Sequence, residues 1–184
     1  MQKSTEISVC AILAVMVIAG FALSQPAAFA VGGSGAFNPQ TQFPIGSTIT
    51  FTSLNGAAAV QDNFTKPRFT QFSASLAITA QVLNFTKDGG IRWKVLSGTF
   101  TINGQTYTVT GGDGHMNAFD EIASGMDGQA TGPDGATYLW HLSGLTALYN
   151  GVVVIGLRGA IGTIESNHAI LRYQLAFMGI MSTT

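Results

Sequence analysis

Residues 111–121 carry the densest group of side chains able to do chemistry in this chain. The segment Gly111-Gly112-Asp113-Gly114-His115-Met116-Asn117 is followed closely by Asp120 and Glu121. Carboxylate oxygens and an imidazole on glycine-rich backbone suit calcium or a harder transition metal. The candidate metal ligands are therefore Asp113, His115, Asp120 and Glu121, although their spacing differs from that of an EF-hand loop. The alternative is a solvated loop whose acidic residues favour a helix N-terminus.

Other site chemistries have weaker support in the sequence. The three histidines, His115, His141 and His168, would form an imidazole metal site only if the fold brought them together, and scattered surface positions are the alternative. No Gly-x-Ser-x-Gly nucleophile elbow is present. The single cysteine, Cys10, lies near the N-terminus, so we expect no thiolate chemistry in the folded domain. The sequence therefore predicts no catalytic residue, and no cofactor apart from the candidate metal ion.

The first 30 residues have the layout of a cleavable secretory signal. Lys3 lies in a short polar head, an apolar run extends from Val9 to Leu23, and Ala28-Phe29-Ala30 provides a small-residue cleavage site. The apolar run is short for a membrane-spanning helix. We therefore expect residues 1–30 to be removed and the folding protein to begin at Val31, outside the exporting membrane. An uncleaved leader would instead tether the domain to that membrane.

Charged residues are scarce along the whole chain. Asp, Glu, Lys and Arg make up 9% of the residues, against about 25% in an average soluble domain. The net charge is −1, and no basic patch is available to neutralise phosphates, so we do not expect nucleic acid as a partner. An uncharged polar surface suits a protein held in a cell envelope, glycosylated or assembled with neighbours. Two Asn-x-Thr acceptors, at Asn63 and Asn84, would allow N-glycosylation, and ordinary turn asparagines are the alternative.

Hydrophobic alternation of period two predicts β-strands through most of the chain. It is clearest from Phe72 to Val82, where apolar residues alternate mainly with Ser, Thr and Gln, and it returns from Leu171 to Phe177. Residues 31–46 are rich in Gly, Pro, Asn and Gln, which predicts an irregular leader. We therefore expect a single β domain over residues 47–184.

Asn-Gly pairs mark the predicted hairpins. A type I′ turn needs positive φ at both central residues, which Asn and Gly tolerate best. Such pairs occur at Asn55-Gly56, Asn103-Gly104 and Asn150-Gly151. A two-residue turn at the middle pair would place Phe100 opposite Tyr107.

A short motif suggests an internal repeat. Asp-Gly followed, after six residues, by Leu-Ser-Gly occurs at 88–98 and again at 134–144. We predict a duplicated β unit that covers about residues 79–115 and 125–162. Chance matches among the many Gly, Ser and Thr residues are the alternative.

The apolar face of the predicted strands changes parity at both Leu-Ser-Gly motifs. In the first copy odd-numbered apolar residues end at Val95, and in the second copy even-numbered ones end at Leu142. We therefore predict a β-bulge or strand corner at Gly98 and at Gly144. The residues expected to face the core after the second switch are Leu145, Ala147 and Tyr149.

One short helix is predicted between residues 117 and 125. Asn117 would cap it, Asp120 and Glu121 would lie in its first turn, and Gly125 would end it. No longer helix is predicted.

The run from Trp93 to Val109, Trp-Lys-Val-Leu-Ser-Gly-Thr-Phe-Thr-Ile-Asn-Gly-Gln-Thr-Tyr-Thr-Val, resembles a segment of small secreted proteins of ammonia-oxidising archaea. The resemblance extends to Trp140-His141-Leu142-Ser143-Gly144 and to Gly156-Leu157-Arg158-Gly159, and it covers roughly the central and C-terminal halves of the chain. These motifs are structural, and those proteins are uncharacterised. The resemblance implies an archaeal cell-surface setting and carries over no functional residue.

Together these patterns predict an all-β protein built as a single antiparallel β-barrel, because paired corner glycines bend strands around a barrel. A β-sandwich or a trefoil-like arrangement is the alternative. We expect a secreted or cell-surface, non-catalytic envelope component whose partners are envelope proteins or glycans. The second hypothesis is an extracellular lipocalin-like barrel that binds a small apolar ligand in a cavity lined by Trp and Tyr. The third is a metal-dependent enzyme that uses the segment from Asp113 to Glu121.

Overall fold

The chain forms a closed barrel of eight antiparallel strands. The computed structural model describes residues 37–61, 69–117, 122–165 and 168–183. The strands are β1 (Thr48–Gln61), β2 (Phe69–Phe85), β3 (Ile91–Ile102), β4 (Gln105–Met116), β5 (Ile122–Thr131), β6 (Thr137–Tyr149), β7 (Val152–Glu165) and β8 (His168–Thr183). Each strand pairs with the next one along the chain, and β8 pairs with β1. The predicted barrel is confirmed, and the sandwich and trefoil-like alternatives are wrong.

The strands are steeply inclined to the barrel axis. A circuit of paired residues that starts at Thr48 returns to β1 at Ala59, 11 residues further along. The circuit passes through Gln81, Lys94, Asp113, Asp127, His141, Ala160 and Gln174. This displacement is about 36 Å along the strands, against about 38 Å measured perpendicular to the eight strands, which gives a tilt of roughly 45°. The barrel is therefore strongly sheared and wide enough to hold large side chains inside.

The alternation predicted for β2 is the one observed. Leu76, Ile78, Ala80 and Val82 are buried, whereas Ser73 and Ser75 between the apolar residues are exposed. The same inside-and-outside alternation continues around the barrel because successive side chains of a strand point to opposite faces. The largest fully buried side chains are Trp93, Trp140, Phe43, Phe100, Leu76, Ile91, Ile102, Met116, Leu142, Ile155, Leu157 and Ile161.

Two of the three predicted hairpin turns are present. Asn103 and Gly104 have φ values of 51° and 75°, and Asn150 and Gly151 have 49° and 80°, as a type I′ turn requires. The first of these turns pairs Phe100 with Tyr107, which is the predicted register.

The hairpin predicted at Asn55-Gly56 is wrong, because this pair lies inside β1. The strand instead contains one extra residue, Leu54, which shifts its register against β8. At this bulge the Ser53 hydroxyl accepts a hydrogen bond of 2.8 Å from the Leu76 amide. Gly56 lies against the ring of Phe177, where a Cβ atom would have no room. A bulge that brings the backbone close to a core ring therefore explains the glycine here.

The two Leu-Ser-Gly motifs behave differently. In β3, Thr79 pairs with Ser97 and Ala80 with Val95, so Leu96 is the extra residue of a bulge two positions before Gly98. This bulge produces the predicted change of parity in the first copy.

The bulge predicted at Gly144 is wrong, since β6 pairs with both β5 and β7 without a register shift. Gly144 instead allows close approach of two strands, because a Cβ atom there would collide with the Gly156 carbonyl oxygen. The parity of β6 is therefore unchanged, and its odd-numbered residues face outward. Leu145 and Tyr149, which the sequence places in the core, are 53% and 59% exposed.

The helix predicted over residues 117–125 is also wrong where it is described. Residues 122–125 begin strand β5, in which Gly125 pairs with both His115 and Ser143. Residues 118–121 lie outside the described ranges, as do the predicted signal and the acceptor Asn63, whereas the acceptor Asn84 is exposed at the end of β2.

One end of the barrel is closed by the segment that precedes β1. Asn38 caps a short helix, α1 (Pro39–Gln42), by accepting a hydrogen bond of 2.9 Å from the Gln40 amide. The Gln40 side chain donates to the Thr86 and Gly90 carbonyls of the β2–β3 turn. Phe43 is fully buried. In the described part of the chain, no helix is long and apolar enough to span a membrane.

The close approach of β6 and β7 gives a stability prediction. Gly144→Ala should destabilise the fold by about 2–3 kcal/mol, because the added methyl group must displace the backbone of β7. Gly156→Ala is the matched control, since nothing lies within 4 Å of a Cβ atom at that position. Urea unfolding of both variants checks this difference, and equal free energies of unfolding would contradict it.

Candidate functional surfaces

Aromatic rings from opposite walls of the barrel meet inside it. Phe100 on β3 contacts Trp140 on β6, with ring centroids 5.5 Å apart, and Phe177 on β8, at 6.2 Å. The three strands are well separated around the barrel. Side chains therefore fill the interior across its width at this level.

Each tryptophan lies over a glycine of the neighbouring strand. Trp93 pairs with Gly114 and Trp140 pairs with Gly128. A Cβ atom on Gly114 would collide with the Trp93 indole, and a Cβ atom on Gly128 would collide with the Gly111 carbonyl oxygen and with the Trp140 indole. Glycines in β4 and β5 therefore make room for the two largest core side chains. Tryptophan and glycine in register on adjacent strands is the sequence signal for this arrangement, which hydrophobic alternation alone does not reveal.

The indole N–H of Trp140 is buried and has no hydrogen-bond partner. A buried donor without an acceptor costs about 1–3 kcal/mol. The ring of Phe100 is the closest aromatic neighbour, with an interplanar angle of 59°. Among the described core residues, this N–H is the one group that would gain from a polar atom placed inside the barrel.

Tyrosines close the other end of the barrel. Tyr107 contacts Tyr138 at 5.0 Å and Tyr173 at 6.4 Å, and Phe72 contacts Tyr173 at 6.2 Å. The Tyr138 hydroxyl donates a hydrogen bond of 3.0 Å to the Asp134 carboxylate. Burial raises the pKa of the Tyr107 hydroxyl, and the neighbouring Tyr173 raises it further. These rings pack as the core of this end, and the raised pKa keeps the Tyr107 hydroxyl neutral at physiological pH.

The predicted metal ligands are only partly described. Asp113 and His115 lie on β4, where both are exposed on the outer face of the barrel, and Asp120 and Glu121 lie outside the described residues. Within the described residues, no group of three or more His, Cys, Asp or Glu side chains is placed to hold a metal ion.

The structure adds Asp127 and His141 to the predicted pair. Asp127 on β5 is directly opposite Asp113, and His141 on β6 is directly opposite Asp127. Burial raises the pKa of Asp127 and Asp113 raises it further, whereas His141 and His115 lower it. His115 on β4 and His141 on β6 therefore lie on either side of the Asp127 carboxylate on β5. The side chain of His168 is not among those described.

The outer surface has a sector without charge. Charged residues are absent from residues 48–60 of β1, 142–149 of β6, 152–157 of β7 and 174–183 of β8. The outward apolar residues of this sector, which we call the uncharged face, are Leu54, Leu145, Ala147, Tyr149, Val152, Val154, Ala176, Met178 and Ile180. Isolated exposed apolar side chains are ordinary, but a contiguous set of them is typical of an interaction surface.

Comparison with known proteins identifies no relative. No protein family model, no curated protein and no solved structure matches the chain. Its function is therefore inferred from the chemistry of its interior, its charged outer strands and the uncharged face.

The environment of Asp127 gives a pH-dependent prediction. A raised pKa means that folding disfavours the ionised carboxylate, so the fold is less stable above that pKa and recovers as the pH falls through it. Asp127→Asn should therefore raise Tm at pH 8 by about 1–2 °C. The effect is small because Asp127 and Asp113 are solvent-exposed, which weakens their electrostatic interactions. The gain should shrink as the pH falls through the raised pKa of Asp127 and should vanish near pH 4, the ordinary pKa of an unfolded aspartate.

A control of opposite sign is Asp88→Asn. The neighbouring Thr86 side chain and the backbone of Asp88 lower the pKa of Asp88, so this carboxylate favours folding when ionised. Its replacement should lower Tm at pH 8 and have less effect near pH 3. Thermal unfolding followed by circular dichroism between pH 3 and pH 8 measures both variants, and curves parallel to wild type would contradict both assignments.

Proposed function

We propose that this protein is a secreted or cell-surface structural component, a non-catalytic barrel that acts through its outer surface. The observation that carries this proposal is the filled interior, where the ring of Phe100 contacts the rings of Trp140 and Phe177 across the barrel. A barrel of eight strands has room for packed side chains or for one small ligand. Rings that meet from opposite walls occupy the space that such a ligand would need.

The two ends of the barrel support the same conclusion. Phe43 and helix α1 cover one end, and the Tyr107, Tyr138 and Tyr173 rings pack at the other. A ligand would have to displace buried aromatic rings to enter from either side. Burial of such rings is a large part of the stability of a small cysteine-free domain.

The charged outer strands argue for a non-catalytic role. Asp113, Asp127 and His141 project from the convex outside of the barrel. Acid–base and electrostatic catalysis depend on groups that converge in a site from which water is excluded. Groups side by side on an open face do not provide that environment.

Two sequence features support secretion: the predicted signal at residues 1–30 and the low content of charged residues. The exposed Asn84 offers an accessible position for a glycan. Envelope proteins and glycans are the proposed partners, and the archaeal resemblance fits a cell-surface location.

The second candidate function is binding of a small ligand inside the barrel. The observation that favours it is the buried Trp140 indole N–H, which has no acceptor among its neighbours. A ligand with one acceptor atom and an otherwise apolar body would satisfy that donor.

A titration with a fluorescent apolar probe separates the two candidates. We expect no saturable binding to the wild-type protein. Phe100→Ala is the positive control, because it opens a cavity between Trp140 and Phe177 that should bind a benzene-sized molecule, at a stability loss of about 3–5 kcal/mol. Stoichiometric binding to wild type with quenching of tryptophan fluorescence would favour the ligand-binding barrel instead.

Fractionation of the natural host tests the proposed location. We expect the protein at the cell surface or in the medium, with an intact mass that starts at Val31 and any glycan as added mass. Recovery from the cytoplasm with Met1 retained would contradict secretion, and turnover in a broad hydrolase and oxidase screen would contradict the non-catalytic role.

A further inference from the structure

We propose that the uncharged face binds the same face of a second copy of this chain, forming a two-fold dimer. This inference rests on the proposed structural role, because it names the partner of the outer surface. Four features support it: the apolar residues that β6 exposes, and the continuity, the area and the lack of charge of the uncharged face.

From Leu145 to Tyr149, strand β6 places its more apolar side chains on the outer face of the barrel. Leu145 points outward and is 53% exposed, while the next residue, Thr146, points inward and is 6% exposed. The Thr146 hydroxyl is hydrogen-bonded at 2.6 Å to the buried hydroxyl of Ser124 on β5. The parity change predicted at the second Leu-Ser-Gly motif would place Leu145 and Tyr149 inside. Exposed apolar side chains beside a buried polar one reverse the usual burial preference, and such reversals occur at functional surfaces.

The apolar residues on three strands lie next to one another. Leu145 pairs with Gly156, which pairs with Met178. One row further along, the same neighbour relation joins Ala147, Val154 and Ile180. Next to Met178, the β1 bulge places Leu54 outward with 64% of its surface exposed. The face is therefore continuous from β6 to β1.

The area of the face is sufficient for self-association. The four most exposed members, Leu54, Leu145, Tyr149 and Val152, are between 45% and 64% exposed. Together with the partly exposed members they offer about 600 Å² per copy. Two copies would bury about 1,200 Å², the lower bound of stable protein interfaces.

The absence of charge favours a second copy as the partner. In a two-fold interface each surface meets itself, so a charged residue near the axis is brought close to its own copy. The uncharged face has no such residue, and Arg158 lies only at its border, on the row between Ser143 and Ala176. At another edge, Thr50 and Ser182 hydrogen-bond to each other at 2.8 Å, which provides a polar rim.

The test compares two leucines of similar exposure. Leu145 is 53% exposed within the uncharged face, and Leu96 is 49% exposed on β3, among Arg92 and Lys94. We expect the exported wild-type protein to dimerise with a Kd on the order of 1–100 μM in sedimentation equilibrium. Leu145→Lys should weaken the dimer at least about 30-fold, and Leu96→Lys should leave the Kd unchanged.

Hydroxyl-radical footprinting of the wild-type protein removes any dependence on a variant that fails to fold. Tyr149 and Met178 should become protected as the protein concentration rises through the Kd. A wild-type protein that is monomeric at 500 μM, or two lysine variants with the same Kd, would overturn the proposal. Concentration-independent protection of Tyr149 by neutral phospholipid vesicles, with no dimer, would assign the face to lipid and also overturn it. None of these outcomes depends on where the protein is located in the cell, so failure here is distinguishable from failure of the proposed function.

Discussion

The hydrogen-bonded pairing of β8 with β1 is the constraint on which the rest of this structure depends. Because the sheet closes on itself, every strand has two partners, and the path around the barrel must return to β1 with the correct register. The circuit from Thr48 to Ala59 fixes the tilt of the strands and hence the width of the interior. That width is filled by aromatic side chains, and glycines on neighbouring strands admit the two tryptophans.

Local sequence patterns were sufficient to predict much of this fold. Period-two alternation in β2 and the Asn103-Gly104 turn are decided by neighbouring residues, so both are readable without knowledge of the whole. The Asn55-Gly56 pair shows the limit of such patterns, because the pairing of β1 with β8 overrides the local preference for a turn. The core position of Phe43 could not be anticipated either, since it depends on an end of the barrel that only closure creates.

The candidate surfaces were harder to predict than the fold. Asp113 and His115 were visible as potential ligands, but their neighbours Asp127 and His141 come from strands that follow 14 and 28 residues after Asp113. Only the register of β4, β5 and β6 brings Asp113, Asp127 and His141 into one row, with His115 in the next row of the same face. The uncharged face is not evident from the sequence, because the repeated Leu-Ser-Gly motif predicts Leu145 and Tyr149 in the core, whereas both are exposed. At Gly98 the parity changes through a bulge beside the motif, whereas at Gly144 the strand continues unbroken.

The proposed role of the outer surface depends on a closed barrel whose aromatic rings meet across the interior. The direct test is a nuclear Overhauser spectrum of the folded protein in solution. The account predicts cross-peaks between Ala58 and Leu175, which pair across the closing strands, and between the rings of Phe100 and Phe177. Absence of the first would show an open sheet, and absence of the second would show an unfilled interior; either result would contradict the central claim.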